Sequence, residues 1–250
     1  MALAQLHVRE FGTGGTPLVL LGSLGSSIKM WLHQLDYFSA SRRVIAVDLR
    51  GHGKSDVVPG STTIDELAAD VLAAVDAPEF DLVGLSLGGG IAQHIALAHA
   101  DHVRRLVLVS TAPKFGDSAG WQQKAADVRA GKLDELSQST IERWFSPTWL
   151  QSHPASREYW RQMVADTPAE GYAAACTALA AFDTREQLAS LSKPTLVVAG
   201  TQDTSTPPEV VQQLAAGIPD ARYEEFNPAA HLLNVERAAE FNALLEDFLS

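Results

Sequence analysis

The sequence predicts an α/β fold, a mostly parallel, doubly wound sheet interrupted by an inserted helical cap. Three features carry this: apolar runs that do not alternate, amphipathic stretches between them, and a long strand-free region in mid-chain. Runs of Val, Leu and Ile without alternation suit strands covered on both faces, as parallel strands are. They fall at residues 17–21, 44–47, 82–85 and 106–109, with a fifth at 195–199. Between them lies the helical pattern 63–75. Thr63 and Glu66 have the spacing of a capping box, and Ile64, Leu67, Val71, Leu72 and Val75 form one apolar stripe. Strand and helix alternation of this kind argues for a doubly wound sheet.

The alternation stops after Ser110. Residues 113–191 hold helix-like stretches at 121–130, 135–144, 156–165 and 171–181, and four of the five tryptophans: Trp121, Trp144, Trp149 and Trp160. The expected organisation is a core of residues 1–112 and 192–250 with a helical cap of 113–191. Such an insertion would cover the carboxyl ends of the strands, where ligands bind in open α/β sheets. The flanking GTGG at 12–15 reads as a hairpin turn.

Composition narrows the function. The chain has 250 residues, 46% apolar and 20% charged, and a formal net charge of −11. Nothing in that balance attracts nucleic acid or anionic lipid. A single cysteine, Cys176, forms no internal disulfide, which points to a reducing, cytoplasmic setting. The N-terminal stretch MALAQLHVREF is interrupted by His7, Arg9 and Glu10 and does not read as a targeting segment. Residues 82–100 lack Asp, Glu, Lys and Arg, but Ser86, Gln93, His94 and three consecutive glycines favour a strand, tight turn and buried helix over a membrane span.

The chemistry-bearing signal is Gly84-Leu85-Ser86-Leu87-Gly88, between the apolar stretch 80–83 and the helix-like 89–98. A G-x-S-x-G turn from strand to helix presents a serine at a helix N-terminus, where amides favour developing negative charge. The serine needs a base and the base an orienting carboxylate, following in the order acid, then histidine. Asp203, after the strand at 195–199, and His231, in a loop before the last helix, fit that order. Taken singly, Asp203 could cap the helix starting near Pro207 and His231 could be an exposed loop residue. Backbone N–H groups of Leu87 and Leu24 are the expected oxyanion donors. His94 and His99 do not share a helix face, and no metal motif is present, so no metal or cofactor is called for. GHGKS at 51–55 mimics the end of a phosphate loop, but Asp48 stands where its first glycine is required.

The motifs GLSLGG, DLRGHGKS, GTQDTSTPPE and AAHLLNVE, in this order, resemble the α/β-hydrolase superfamily over essentially the whole chain. Residues 23–31 (SLGSSIKMW), 104–116 (RRLVLVSTAPKFG), 142–149 (ERWFSPTW) and 170–186 (EGYAAACTALAAFDTRE) are similar to the 3-oxoadipate enol-lactonases of aromatic breakdown. The departures are Gly22, where histidine or asparagine is usual, Leu87 in place of methionine, and Ala175-Cys176 in place of a double cysteine. The resemblance implies attack by Ser86 on a lactone carbonyl, with His231 as base, Asp203 orienting it, and no cofactor. Its substrate would be a small anionic lactone, for which Arg143 is the expected carboxylate partner and Trp144 an apolar wall. Arg129, Arg157 and Arg161 are rivals to Arg143. A general carboxylesterase or lactonase, a cofactor-free perhydrolase and a non-catalytic binding protein are the alternatives, and a homo-oligomer stays open.

Overall fold

The computed structural model describes residues 3–250. Met1 and Ala2, part of the stretch read for a targeting segment, lie outside the described residues. One sheet contains seven strands: β1 (Val8–Phe11), β2 (Leu18–Leu21), β3 (Val44–Val47), β4 (Phe80–Leu85), β5 (Val103–Val109), β6 (Thr195–Gly200) and β7 (Arg222–Phe226). Their order is β1-β3-β2-β4-β5-β6-β7, with only β1 antiparallel. Helices α1 (Leu32–Phe38), α2 (Ile64–Ala74) and α3 (Leu87–Ala98) follow in the first half of the chain.

The five apolar runs are the strands β2 to β6, whose β2, β3, β4 and β6 are buried at every residue. The sequence reading missed the two edges. β1 (VREF) and β7 (RYEEF) are partly exposed and carry charges, which blunt a sheet edge but remove the apolar signature. One expectation is corrected outright: residues 12–15 are not a hairpin turn. β1 pairs with β3, and β2 lies on the far side of β3, so the loop crosses over a strand.

The capping box of α2 forms as expected. The Glu66 amide donates to Thr63 Oγ1 at 3.2 Å, and the Thr63 amide to Glu66 Oε2 at 2.9 Å. Thr63→Ala should therefore cost about 1 kcal/mol of stability, read as a shift of the denaturation midpoint at constant slope. An unchanged midpoint would show that the cap adds nothing to this helix.

Between β5 and β6 the chain forms α4 (Ser118–Arg129), α5 (Leu133–Trp144), α6 (Pro147–Ser152), α7 (Pro154–Ala165) and α8 (Ala169–Ala181). Four match the expected helical stretches within a few residues. The short α6, begun by the N-cap Ser146 and Pro147, escaped the periodicity reading. The base of the insertion is closed by the Thr184 amide donating to Pro113 O at 2.9 Å. Its helices rest on the loops that follow β2 and β3: Tyr172 and Val164 cover Gly25, and Gly171 meets Gly51 backbone to backbone. A Cβ on either glycine of that last pair would overlap the other's main chain.

After β6 come α9 (Pro208–Gly217), α10 (Leu233–Glu236) and α11 (Ala238–Leu249). Among the described residues, no helix is long and apolar enough to cross a membrane. Residues 82–100 are the end of β4, a turn and the buried α3.

Candidate active site

Ser86 is the single residue between β4 and α3, with φ 57° and ψ −114°. A non-glycine residue at positive φ carries backbone strain, and such strain persists only where neighbours hold it. Here the Ser86 amide donates to Val109 O at 3.0 Å, while its carbonyl accepts from Thr111 Oγ1 at 2.9 Å and the Gly90 amide at 3.0 Å. The flanking glycines have a steric reason. A Cβ on Gly84 would strike the Gly88 backbone, and one on Gly88 would strike the Leu21 carbonyl. That closeness also lets the Gly88 amide reach Gly22 O at 3.0 Å, which docks the loop after β2 against the start of α3.

Asp203 follows β6 and is 3% exposed, and His231 is 2% exposed. Asp203 Oδ2 lies 2.7 Å from His231 Nδ1. Asp203 does not cap the following helix, since α9 has no side-chain cap; its Oδ1 instead accepts the amides of Ser205 (2.7 Å) and Thr206 (3.1 Å) in the turn that precedes α9. Thr206 Oγ1 also donates to Oδ2 at 2.8 Å. Burial excludes the reading of His231 as an exposed loop residue. With the Nδ1 proton directed at the carboxylate, Nε2 is the nitrogen left basic. The Ser86 hydroxyl hydrogen-bonds to no side chain among the described residues; in a site without substrate, a serine–histidine contact is often long and tightens on binding.

The His231 loop is held from two sides. The Leu232 amide donates to Trp144 O at 2.8 Å, at the end of α5. Glu236 accepts from the Ala230 amide (2.9 Å) and from the amide and hydroxyl of Ser146 (3.0 and 2.6 Å). On the core side, buried Asn234 donates to Met30 O at 2.9 Å, and Gln34 Nε2 donates to Asn242 Oδ1 at 2.8 Å. Glu236 and Asn234 sit inside the AAHLLNVE motif, yet their anchoring role has no signal in spacing or periodicity.

Leu24 and Leu87 are buried, and neither backbone amide donates a hydrogen bond within the described residues. Buried amides without partners are uncommon in folded chains, so that of Leu87, directly after the strained serine, and that of Leu24, in the loop that Gly22 docks against α3, suit an oxyanion hole. The glycine at Gly22 is explained by crowding: a Cβ there would come within 2.8 Å of both Met30 Sδ and Ser26 Oγ. In this chain the methionine thioether and serine hydroxyl occupy the room a larger residue would need.

The four arginines weighed in the cap separate cleanly. Arg129 pairs with Glu170 at 2.8 Å, Arg157 with Glu142 at 3.1 Å, and Arg161 with Asp134 at 2.6 Å and Glu158 at 2.8 Å. Arg143 alone of the four has no carboxylate partner among the described residues; the one hydrogen bond its side chain makes among them is to Thr140 Oγ1 at 3.4 Å. Trp144 is 3% exposed and packs edge-on against Trp160 at 6.4 Å between ring centroids. Its described tie to the site is therefore its carbonyl. Lys124, passed over in the sequence reading, is also unpaired and lies 4.7 Å from the Trp121 ring centroid. A cavity of about 750 Å³ between β1, α1 and α7 is lined by none of Ser86, Asp203 or His231. The strained serine and the buried acid–histidine pair locate the site better than volume does.

A family model described as alpha/beta hydrolase fold matches residues 16–238. A 3-oxoadipate enol-lactonase of Acinetobacter baylyi is 36% identical over 245 residues, covering 96% of this chain and 91% of the relative. The crystal structure of an enol-lactonase from Burkholderia xenovorans superposes with a TM-score of 0.95 at 34% identity, covering 98% of this chain and 96% of that one. A pimeloyl-[acyl-carrier protein] methyl ester esterase of Aliivibrio salmonicida is 32% identical, covering 94% of this chain and 92% of the relative.

Proposed function

The chain is a hydrolase belonging to the alpha/beta-hydrolase family, and on that premise we propose that it opens the ring of 3-oxoadipate enol-lactone to give 3-oxoadipate, in the breakdown of aromatic compounds. The observation that carries the substrate assignment is the cap's unpaired Arg143, set one residue before the Trp144 carbonyl that binds the His231 loop. In a chain of net charge −11, a cation left without a carboxylate is well suited to receive one from an anionic substrate.

Ser86 Oγ attacks the lactone carbonyl as His231 Nε2 takes its proton, and Asp203 stabilises the imidazolium through Nδ1. The amides of Leu24 and Leu87 hold the tetrahedral oxyanion. Collapse breaks the ring C–O bond and expels an enolate, which takes up a proton and becomes the ketone. The acyl group stays on Ser86. Water, losing its proton to His231, then attacks the acyl carbonyl and frees the second carboxylate. Each turnover consumes one lactone and one water, and no cofactor takes part. Arg143 pairs with the carboxylate already present, and Trp144 anchors the helix that carries it.

Arg143→Ala tests the assignment. KM for the lactone should rise roughly tenfold or more, while kcat/KM for neutral p-nitrophenyl acetate changes less than about twofold. Equal effects on both substrates would remove Arg143 from the carboxylate site.

A further inference from the structure

Both chain neighbours of His231 end on one segment of the cap. Leu232, on one side, donates its amide to Trp144 O at 2.8 Å. Ala230, on the other, donates its amide to Glu236 Oε1 at 2.9 Å. The same carboxylate accepts the Ser146 amide on Oε1 at 3.0 Å and the Ser146 hydroxyl on Oε2 at 2.6 Å. Residues 144–146 therefore hold the loop on both flanks of the base, once directly and once through Glu236.

That segment is stiff. Trp144 and Phe145 are buried. The Phe145 ring lies 4.2 Å from the Trp149 ring and 5.3 Å from the Trp160 ring, between centroids, and these contacts join α5, α6 and α7. Ser146 Oγ also accepts the Trp149 amide at 3.2 Å, so the hydroxyl that donates to Glu236 is the one that starts α6. The three hydrogen bonds that the Glu236 carboxylate accepts among the described residues all come from uncharged donors. Bonds to an ionised acceptor are roughly twice as strong as neutral ones, which makes this a firm tie between cap and loop. His231 is thus set from two bodies: its ring by Asp203, after β6 of the core, and the backbone on either side of it by the cap.

We propose that Glu236 is a positioning residue through which the seating of the cap sets His231, so that the base is aligned with Ser86 only while residues 144–146 are in place. This rests on the reading of Ser86 as nucleophile and His231 as base, and not on the identity of the lactone. Glu236 touches neither substrate nor reacting atoms, and it moves no proton. Its weight comes from geometry, since a misplacement of about 1 Å costs on the order of 100-fold in rate.

The test measures kcat and KM for p-nitrophenyl acetate, with Tm as the report on folding, in the wild type, Glu236→Ala, Glu236→Gln, Ser146→Ala and the variant carrying both alanines. Glu236→Ala should lose roughly 30- to 100-fold in kcat, with KM within about twofold. Glu236→Gln should stay within about threefold of the wild type, because its carbonyl still accepts both amides and its NH₂ can donate to Ser146 Oγ. Ser146→Ala should lose roughly five- to tenfold, and the double variant no more than Glu236→Ala alone, as two ends of one contact do. The role is overturned if kcat of Glu236→Ala stays within about threefold of the wild type, if KM rises in step with the loss, if glutamine fails to restore the rate, or if the two single losses multiply. Should Glu236→Ala not fold, an unchanged kcat in Ser146→Ala or a collapsed one in Glu236→Gln overturns it equally. Cleavage of p-nitrophenyl acetate without turnover of the enol-lactone would remove the lactone assignment and leave the role of Glu236 to these variants.

Discussion

Ser86→Ala is expected to lower kcat for lactones and esters alike by roughly 10⁵- to 10⁶-fold, without loss of Tm. The size of the effect follows from the role: without the hydroxyl no acyl-enzyme forms, and only the oxyanion amides and substrate positioning remain. The fold should not suffer, because Ser86 is held by its amide and carbonyl, which bond to Val109, Thr111 and Gly90 whatever side chain is present. A fluorophosphonate probe should label the wild type and not the variant. Ser86→Gly gives a companion expectation. Glycine accepts φ 57° without penalty, so this inactive variant should be more stable than the alanine variant. Activity retained by a cleanly purified Ser86→Ala would refute the nucleophile, and a folded wild type that resists the probe would favour a binding protein on this scaffold.

Asp203→Asn is the second large effect, a fall in kcat of about 10⁴-fold. The native carboxylate accepts the Nδ1 proton of His231 at 2.7 Å and thereby keeps Nε2 basic. An amide group in its place can donate to Nδ1, which moves the ring proton to Nε2 and removes the base. The turn itself should survive, since an asparagine carbonyl at the Oδ1 position still accepts from Ser205 and Thr206. Near-native Tm with collapsed kcat is therefore expected. A loss of kcat smaller than about tenfold would mean that another group orients His231.

How much of this was legible in the sequence depends on whether a residue's role is local. The elbow was readable because steric exclusion at Gly84 and Gly88 is written into neighbouring positions of one turn. The box at Thr63 and Glu66 was readable for the same reason. The central strands showed themselves through burial on both faces, whereas β1 and β7, half-wet and charged, had no apolar pattern to show. The crossing of β1 over to β3 was misread as a hairpin because glycine-rich turns look alike until pairing partners are known. In the cap, Arg143 could not be told from Arg129, Arg157 and Arg161 by spacing. Their carboxylates come from residues 3 to 41 positions away, and only the folded chain shows which arginine is left over. Glu236 escaped notice because it joins segments 90 residues apart.

The most direct measurement is kcat/KM for 3-oxoadipate enol-lactone, generated in situ, beside p-nitrophenyl acetate on the same preparation of the wild type. A preference for the anionic lactone by several orders of magnitude is expected from a serine hydrolase whose cap leaves Arg143 without a carboxylate, one residue before the carbonyl that holds the His231 loop. Comparable rates, or a preference for the neutral ester, would contradict the lactone assignment and leave a general esterase acting through the same serine.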